Sequence, residues 1–93
     1  MWSLGDREAA RELEEDTLAR RGRVLGEDHP DTLHSAHGLA ADLWSLGEHG
    51  AARELEEDTL NRRRQVLGED HPDTQRSARN LAEYKRRAEK LIN

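Results

Sequence analysis

The 93-residue sequence has no cysteine and no phenylalanine, two prolines, and only three aromatic residues, Trp2, Trp44 and Tyr84. The missing cysteine excludes disulfides, thiolate zinc sites and cysteine nucleophiles. No apolar run approaches the roughly 18 residues of a membrane span, and there is no apolar core of a secretory signal, so a soluble, cytoplasmic chain without membrane contact is expected. Hydrophobic residues are scarce, at 33% against about 45–50% in ordinary globular chains. Charge of one sign is scarce too: 15 basic residues nearly balance 20 acidic ones, for a net charge of −5. That balance, with 13 Leu and 11 Ala, suits solvated helices better than a self-repelling coil. No glycine-rich phosphate loop or nucleophile elbow occurs, so neither enzymatic activity nor a cofactor is expected.

What the sequence has is repetition. Trp2-Ser3-Leu4-Gly5 returns as Trp44-Ser45-Leu46-Gly47, Ala9–Leu18 returns unbroken as Ala51–Leu60, and Val24–Thr32 returns as Val66–Thr74. Sliding residues 2–43 onto 44–85 leaves 29 of 42 positions identical. The chain is therefore one domain over residues 1–93, with copy one at 2–43, copy two at 44–85 and a closing helix at about 72–92.

Each copy reads as two helices. The first spans about Asp6 to Leu25, with Gly5 and Asp6 as its start. Ala10, Leu13, Thr17, Val24 and Leu25 form its inward stripe, with Leu18 at the margin. Gly26 stops it, and Pro30 and Asp31 open the next helix, where a missing N–H and a negative charge are both favourable. That helix runs to about Leu46 with Ala36, Leu39, Ala40, Leu43 and Leu46 inward, and Gly47 closes it. A helix over 48–67, the 68–74 connector and a last helix from Pro72 to about Ile92 repeat the plan. Paired helices of this kind bury their apolar faces only by stacking on neighbours, which predicts an all-α solenoid. Its N-terminal edge should be open, because the helix ahead of Asp6 is reduced to a stub at 1–4. Its last helix should be a cap, because Lys85 stands where the first copy has Leu43. Two chains could cover the open edge together as a homodimer.

The Ala/Leu pattern of these helix pairs resembles the tetratricopeptide repeat (TPR). The 42-residue period and the Leu-Gly-Glu-Asp-His-Pro-Asp-Thr connector look like its kinesin-light-chain variant. The resemblance implies a right-handed superhelix that binds a protein or peptide along a concave face lined by the first helix of each unit. It implies packing roles for Leu39, Ala40, Leu43, Gly47, Ala52, Leu55, Thr59 and Leu60. The concave positions are His34, His37, Gly38, Ala41, Trp44 and Ser45, then Arg76, Arg79, Asn80, Glu83, Arg86 and Arg87, with Trp2 and Ser3 ahead of them. The near-identity of the copies also fits a minimal or designed repeat unit with no ligand of its own.

Four of the thirteen mismatches between copies fall at 34, 37, 38 and 41 and share one helical face, while Ala36, Leu39 and Ala40 are unchanged. A variable stripe beside a fixed one is what a ligand-reading surface on a constant scaffold looks like; a freely drifting solvated face looks the same. Residues 74–93 carry a net charge of +4, and their arginines could grip the carboxylates of an acidic peptide. Nucleic acid is not expected, because the acidic remainder repels phosphate. His34 and His37 are spaced to share a metal ion, but copy two has Arg76 and Arg79 there, and no metal site is expected. His29-Pro30-Asp31 and His71-Pro72-Asp73 are in register with the repeat and read as helix caps. The carboxylates of Glu14, Glu15, Asp16, Glu56, Glu57 and Asp58 are expected on exposed helix faces.

Overall fold

The computed structural model describes residues 4–92, which form four helices: α1 (Leu4–Leu25), α2 (Pro30–Ser45), α3 (His49–Leu67) and α4 (Pro72–Ile92). Each packs against the next, giving a body of 34 × 29 × 20 Å. Trp2 and Ser3 lie outside the described residues.

The turns follow from their local sequence. Gly26 and Gly68, at φ +97° and +91°, end α1 and α3 in the left-handed region that a Cβ disfavours. After α2, Gly47 (φ +86°) donates to the Trp44 carbonyl at 3.0 Å and Glu48 donates to the Leu43 carbonyl at 2.9 Å, the paired bonds of a Schellman C-cap. In the connectors, His29 Nδ1 accepts from the Asp31 N–H at 3.1 Å, and His71 Nδ1 accepts from the Asp73 N–H at 3.0 Å. Histidine thus does the work usually given to Ser or Asp at an N-cap, with proline in the first turn behind it.

A second device repeats as faithfully. Arg21 Nη1 donates to the Asp31 carbonyl (3.0 Å) and to Ser35 Oγ (2.9 Å). One period on, Arg63 Nη1 donates to the Asp73 carbonyl (3.0 Å) and to Ser77 Oγ (2.8 Å). Each arginine ties the end of one helix to the first turn of the next.

The apolar core lies between α2 and α3. Leu39, Ala40, Leu43 and Ala52 are buried there with Tyr84 of α4, and Leu18, Trp44 and Leu55 pack around them. Leu33 is also buried, on the stretch of α2 that faces α1. Small residues at 36, 40 and 52 let helix backbones approach closely, which is how so few large side chains close a core.

Three expectations need correction. Gly5 and Asp6 do not start α1; both lie inside it, since nothing among the described residues requires the reversal that Gly47 supplies in copy two. The inward stripe of α1 is not the expected one: Leu13 is 68% exposed, Val24 76% and Leu25 41%, while Leu18 packs on the core. The helix turns its Glu14, Leu18 and Arg21 side to α2, as the Arg21–Ser35 bond and the approach of Glu14 to Gly38 record. On α3, which has helices on both sides, the equivalent Leu55 packs against the core. The acidic triplet of α3 is not wholly exposed either. Glu56 is fully buried, and Glu14 is half-buried. Three consecutive helical residues fan over most of the circumference, so one of them must face inward.

Candidate functional site

Copy number alone makes α2 and α4 parallel neighbours, and two contacts join them. Trp44 stacks on Tyr84 with ring centroids 4.6 Å apart and planes 12° off parallel. Asn80 Nδ2 donates to His37 Nε2 at 3.4 Å. The opposite ring nitrogen of His37, Nδ1, donates to the carboxylate of Glu56 on α3, at 3.0 and 3.2 Å from its two oxygens. The result is a relay across three helices, from the Asn80 amide through the His37 imidazole to a carboxylate with no exposed surface. A buried carboxylate without donors would be costly. His37 supplies the donor, and Asn80 fixes the ring.

The other positions expected on this face divide into exposed and committed groups. His34, Ala41, Ser45, Arg76 and Arg79 are exposed, and Gly38 is half-buried with Glu14 behind it. Arg76 is held by Asp73 at 3.2 Å. Glu83 accepts from Arg86 and Arg87, at 2.6 and 2.7 Å, and their guanidiniums hold its carboxyl below the usual carboxylate range. Arg79 forms no hydrogen bond or ion pair among the described residues, and neither does His34. The arginine row is therefore mostly neutralised from within, and Arg79 is the cation left to meet a ligand.

Trp44 is not the free anchor that its position on the stripe implies. One ring face is taken by Tyr84, and His49 lies 4.0 Å from its centroid. What remains accessible is its part in a shallow hollow, shared with His49, Arg87 and Lys90, at the C-terminal end of the α2–α4 face.

Sequence reasoning missed Glu56, Tyr84 and His49. Nothing in an acidic triplet marks which carboxylate turns inward. Tyr84 carried a faint signal: it is the only tyrosine, and it replaces Asp42 of copy one. Burial, and then the nearby Glu56 charge, push its phenol above the ordinary tyrosine range. Arg63 is buried where α3 meets the start of α4. Its guanidinium is lowered by burial and supported by the charges of Asp73 and Glu56. Among the described residues no group of three His, Asp or Glu side chains is placed to hold a metal ion, and no helix is long and apolar enough to cross a membrane.

Helix pairs stacked at a fixed 42-residue period, with a polar face carried by the first helix of each pair, define an α-helical repeat protein. The chain belongs to the tetratricopeptide-repeat family: a tetratricopeptide-repeat family model matches residues 1–31 and again 32–73. The second match covers α2, α3 and the turn after them, one full period. No curated protein matches the sequence. Repeats of this family are non-enzymatic scaffolds that mediate protein–protein interaction.

Proposed function

We propose that the chain holds a protein or peptide segment along the face shared by α2 and α4. The observation that carries this reading is the contrast at that face. His34, Ala41, Ser45 and Arg79 are presented to solvent, while the relay through His37, Asn80 and Glu56 and the Trp44–Tyr84 stack fix the helices beneath them. Positions 34 and 41 of the exposed rim differ between the copies, whereas the buried Ala36, Leu39 and Ala40 repeat without change. A rigid frame with a varied rim suits recognition, because little side-chain freedom is lost on binding.

An acidic partner segment fits best. Within the arginine row Arg79 has no carboxylate partner among the described residues, and Lys90, which has none either, borders the Trp44 hollow, where an apolar side chain next to a carboxylate would sit. The ligand would not compete for Arg76 or Arg86 unless Asp73 or Glu83 released them.

The test is a fluorescence titration in a Trp2→Phe background, so that Trp44 reports alone, using tryptophan-free acidic peptides with and without a leucine next to the carboxylates. Saturable binding that weakens about tenfold or more in Arg79→Glu is expected. No saturable change with any peptide, or indifference to Arg79→Glu, would leave the chain as a structural repeat unit.

A second reading is self-association through α1. It is favoured by the exposed Leu13 and Val24, three turns apart on one side of that helix. In an antiparallel two-fold pair Leu13 would meet the partner's Val24. Asp16 and Arg20, now bonded to each other at 2.8 Å on the edge of the same stripe, could exchange partners across the axis. Sedimentation over a concentration series reads this: a monomer throughout removes it, and a dimer abolished by Leu13→Glu supports it.

A further inference from the structure

Ala9–Leu18 of α1 and Ala51–Leu60 of α3 are the same ten residues in two settings. On α3, which α2 covers, Ala52 (0% exposed) and Thr59 (1%) are buried and Leu55 packs on the core. On α1, where no preceding helix stands among the described residues, Ala10 and Thr17 are half-buried and Leu13 is 68% exposed. The opposite edge of the molecule is bare in the complementary way. Ala40 and Leu43 of α2 lie buried in the core shared with α3, whereas their equivalents on α4, Ala82 and Lys85, are exposed. The molecule therefore ends in the two halves of an interface that it already contains between α2 and α3.

The charges of the two bare edges match. Within the chain, His37 of α2 donates to the Glu56 carboxylate of α3. The residues at those places on the bare edges are Arg79 on α4, which is exposed, and Glu14 on α1, a cation and an anion. Within the chain, Arg62 of α3 also reaches the turn ahead of α2, meeting Asp28 at 2.7 Å and Glu27 at 3.6 Å. Its equivalent is Arg20 on α1, and the turn ahead of α4 carries Glu69 and Asp70; all three are exposed. Consecutive helices of the stack are antiparallel, so the end of α4 would lie on the start of α1. Residues 85–90 hold four bases and one acid, and residues 6–16 hold six acids and two bases. Opposite signs thus meet at both ends of the contact. A two-fold pairing of α1 would cover only one of the two edges.

We infer that the bare side of α1 takes the α4 edge of a second copy of this chain, seated as α2 sits on α3, with Arg79 of one copy on Glu14 of the other and Arg20 on the Glu69–Asp70 turn. The contact is heterologous. Each copy has one edge of each kind, so copies add head to tail and continue the stack instead of closing on themselves. Lys85 in place of Leu43 makes this contact less apolar than the one within the chain, so charge carries more of it and salt weakens it. Arg79 can serve this contact or an acidic peptide, not both at once.

The experiment is sedimentation of the whole chain over a concentration series at about 20 mM and about 500 mM salt. At low salt the average mass should rise past that of a dimer, and at high salt it should fall back toward the 10.6 kDa monomer. Two variants then block one edge each: Leu13→Glu with Arg20→Glu on α1, and Ala82→Glu on α4. All three sites are exposed, so the helical circular dichroism should be kept. Each variant alone should be a monomer, and an equal mixture should form a 1:1 heterodimer that grows no further, because each retains the edge that the other has lost. A wild type that stays monomeric at low salt, or a mixture that does, overturns the inference. Ala82→Glu forming a dimer by itself also overturns it, in favour of the two-fold pairing of α1. No peptide enters the measurement, so this inference and the peptide reading fail separately.

Discussion

At the residue scale, the histidines of the connectors are structural. His29 and His71 accept backbone N–H groups that would otherwise be orphaned at the starts of α2 and α4. Replacing either with alanine should cost about 1 kcal/mol in urea unfolding, and asparagine, which also offers an acceptor, should restore most of it. The two clamping arginines should differ. Arg63 is 2% exposed and Arg21 is half-exposed, though they make the same bonds. Arg63→Ala should therefore cost about 2–3 kcal/mol, because it strands buried acceptors. Arg21→Ala should cost about 1 kcal/mol, because water can replace it. Equal losses would mean that burial does not set the value of the clamp. The role of these arginines became visible only when the following helix came into view.

At the element scale, α1 and α3 are nearly the same sequence in different surroundings. Leu13→Ala on α1 should change stability by only a few tenths of a kcal/mol, whereas Leu55→Ala on α3 should cost about 2 kcal/mol or more. Helix α4 closes the core with Tyr84, whose burial and whose proximity to Glu56 favour the neutral phenol. Its proton is thus held more tightly in the folded chain than in the unfolded one. The stability this contributes is complete below the ordinary tyrosine value of about 10, and it is lost as pH rises from there through the higher folded value. Because Tyr84 is the only tyrosine, its phenolate absorbance should appear late and together with alkaline unfolding. Tyr84→Phe should flatten that limb of the stability curve, and an absorbance change completed before any loss of helix would contradict the assignment.

At the scale of the whole molecule, each helix touches mainly its neighbours, so local stability should follow position in the stack. Amides of α2 and α3 should exchange hydrogen slowest. Those of α1, with a partner on one side and exposed Leu13 and Val24 on the other, should exchange fastest among the helix interiors. Uniform protection across all four helices would indicate either tighter global coupling or an α1 covered by a second chain, and dilution separates these.

The order of the helices, their boundaries apart from the start of α1, the three glycine stops and the proline starts were legible in the sequence, because short-range backbone chemistry and a 42-residue period dictate them. So was the burial of Leu39, Ala40 and Leu43, which follows from helical spacing. Which of two near-identical helices is covered, which of three adjacent carboxylates turns inward to His37, and which rings meet at Trp44 were not legible. Those depend on what stands on the far side of each helix, and a repeated sequence cannot encode a difference that comes only from its neighbours.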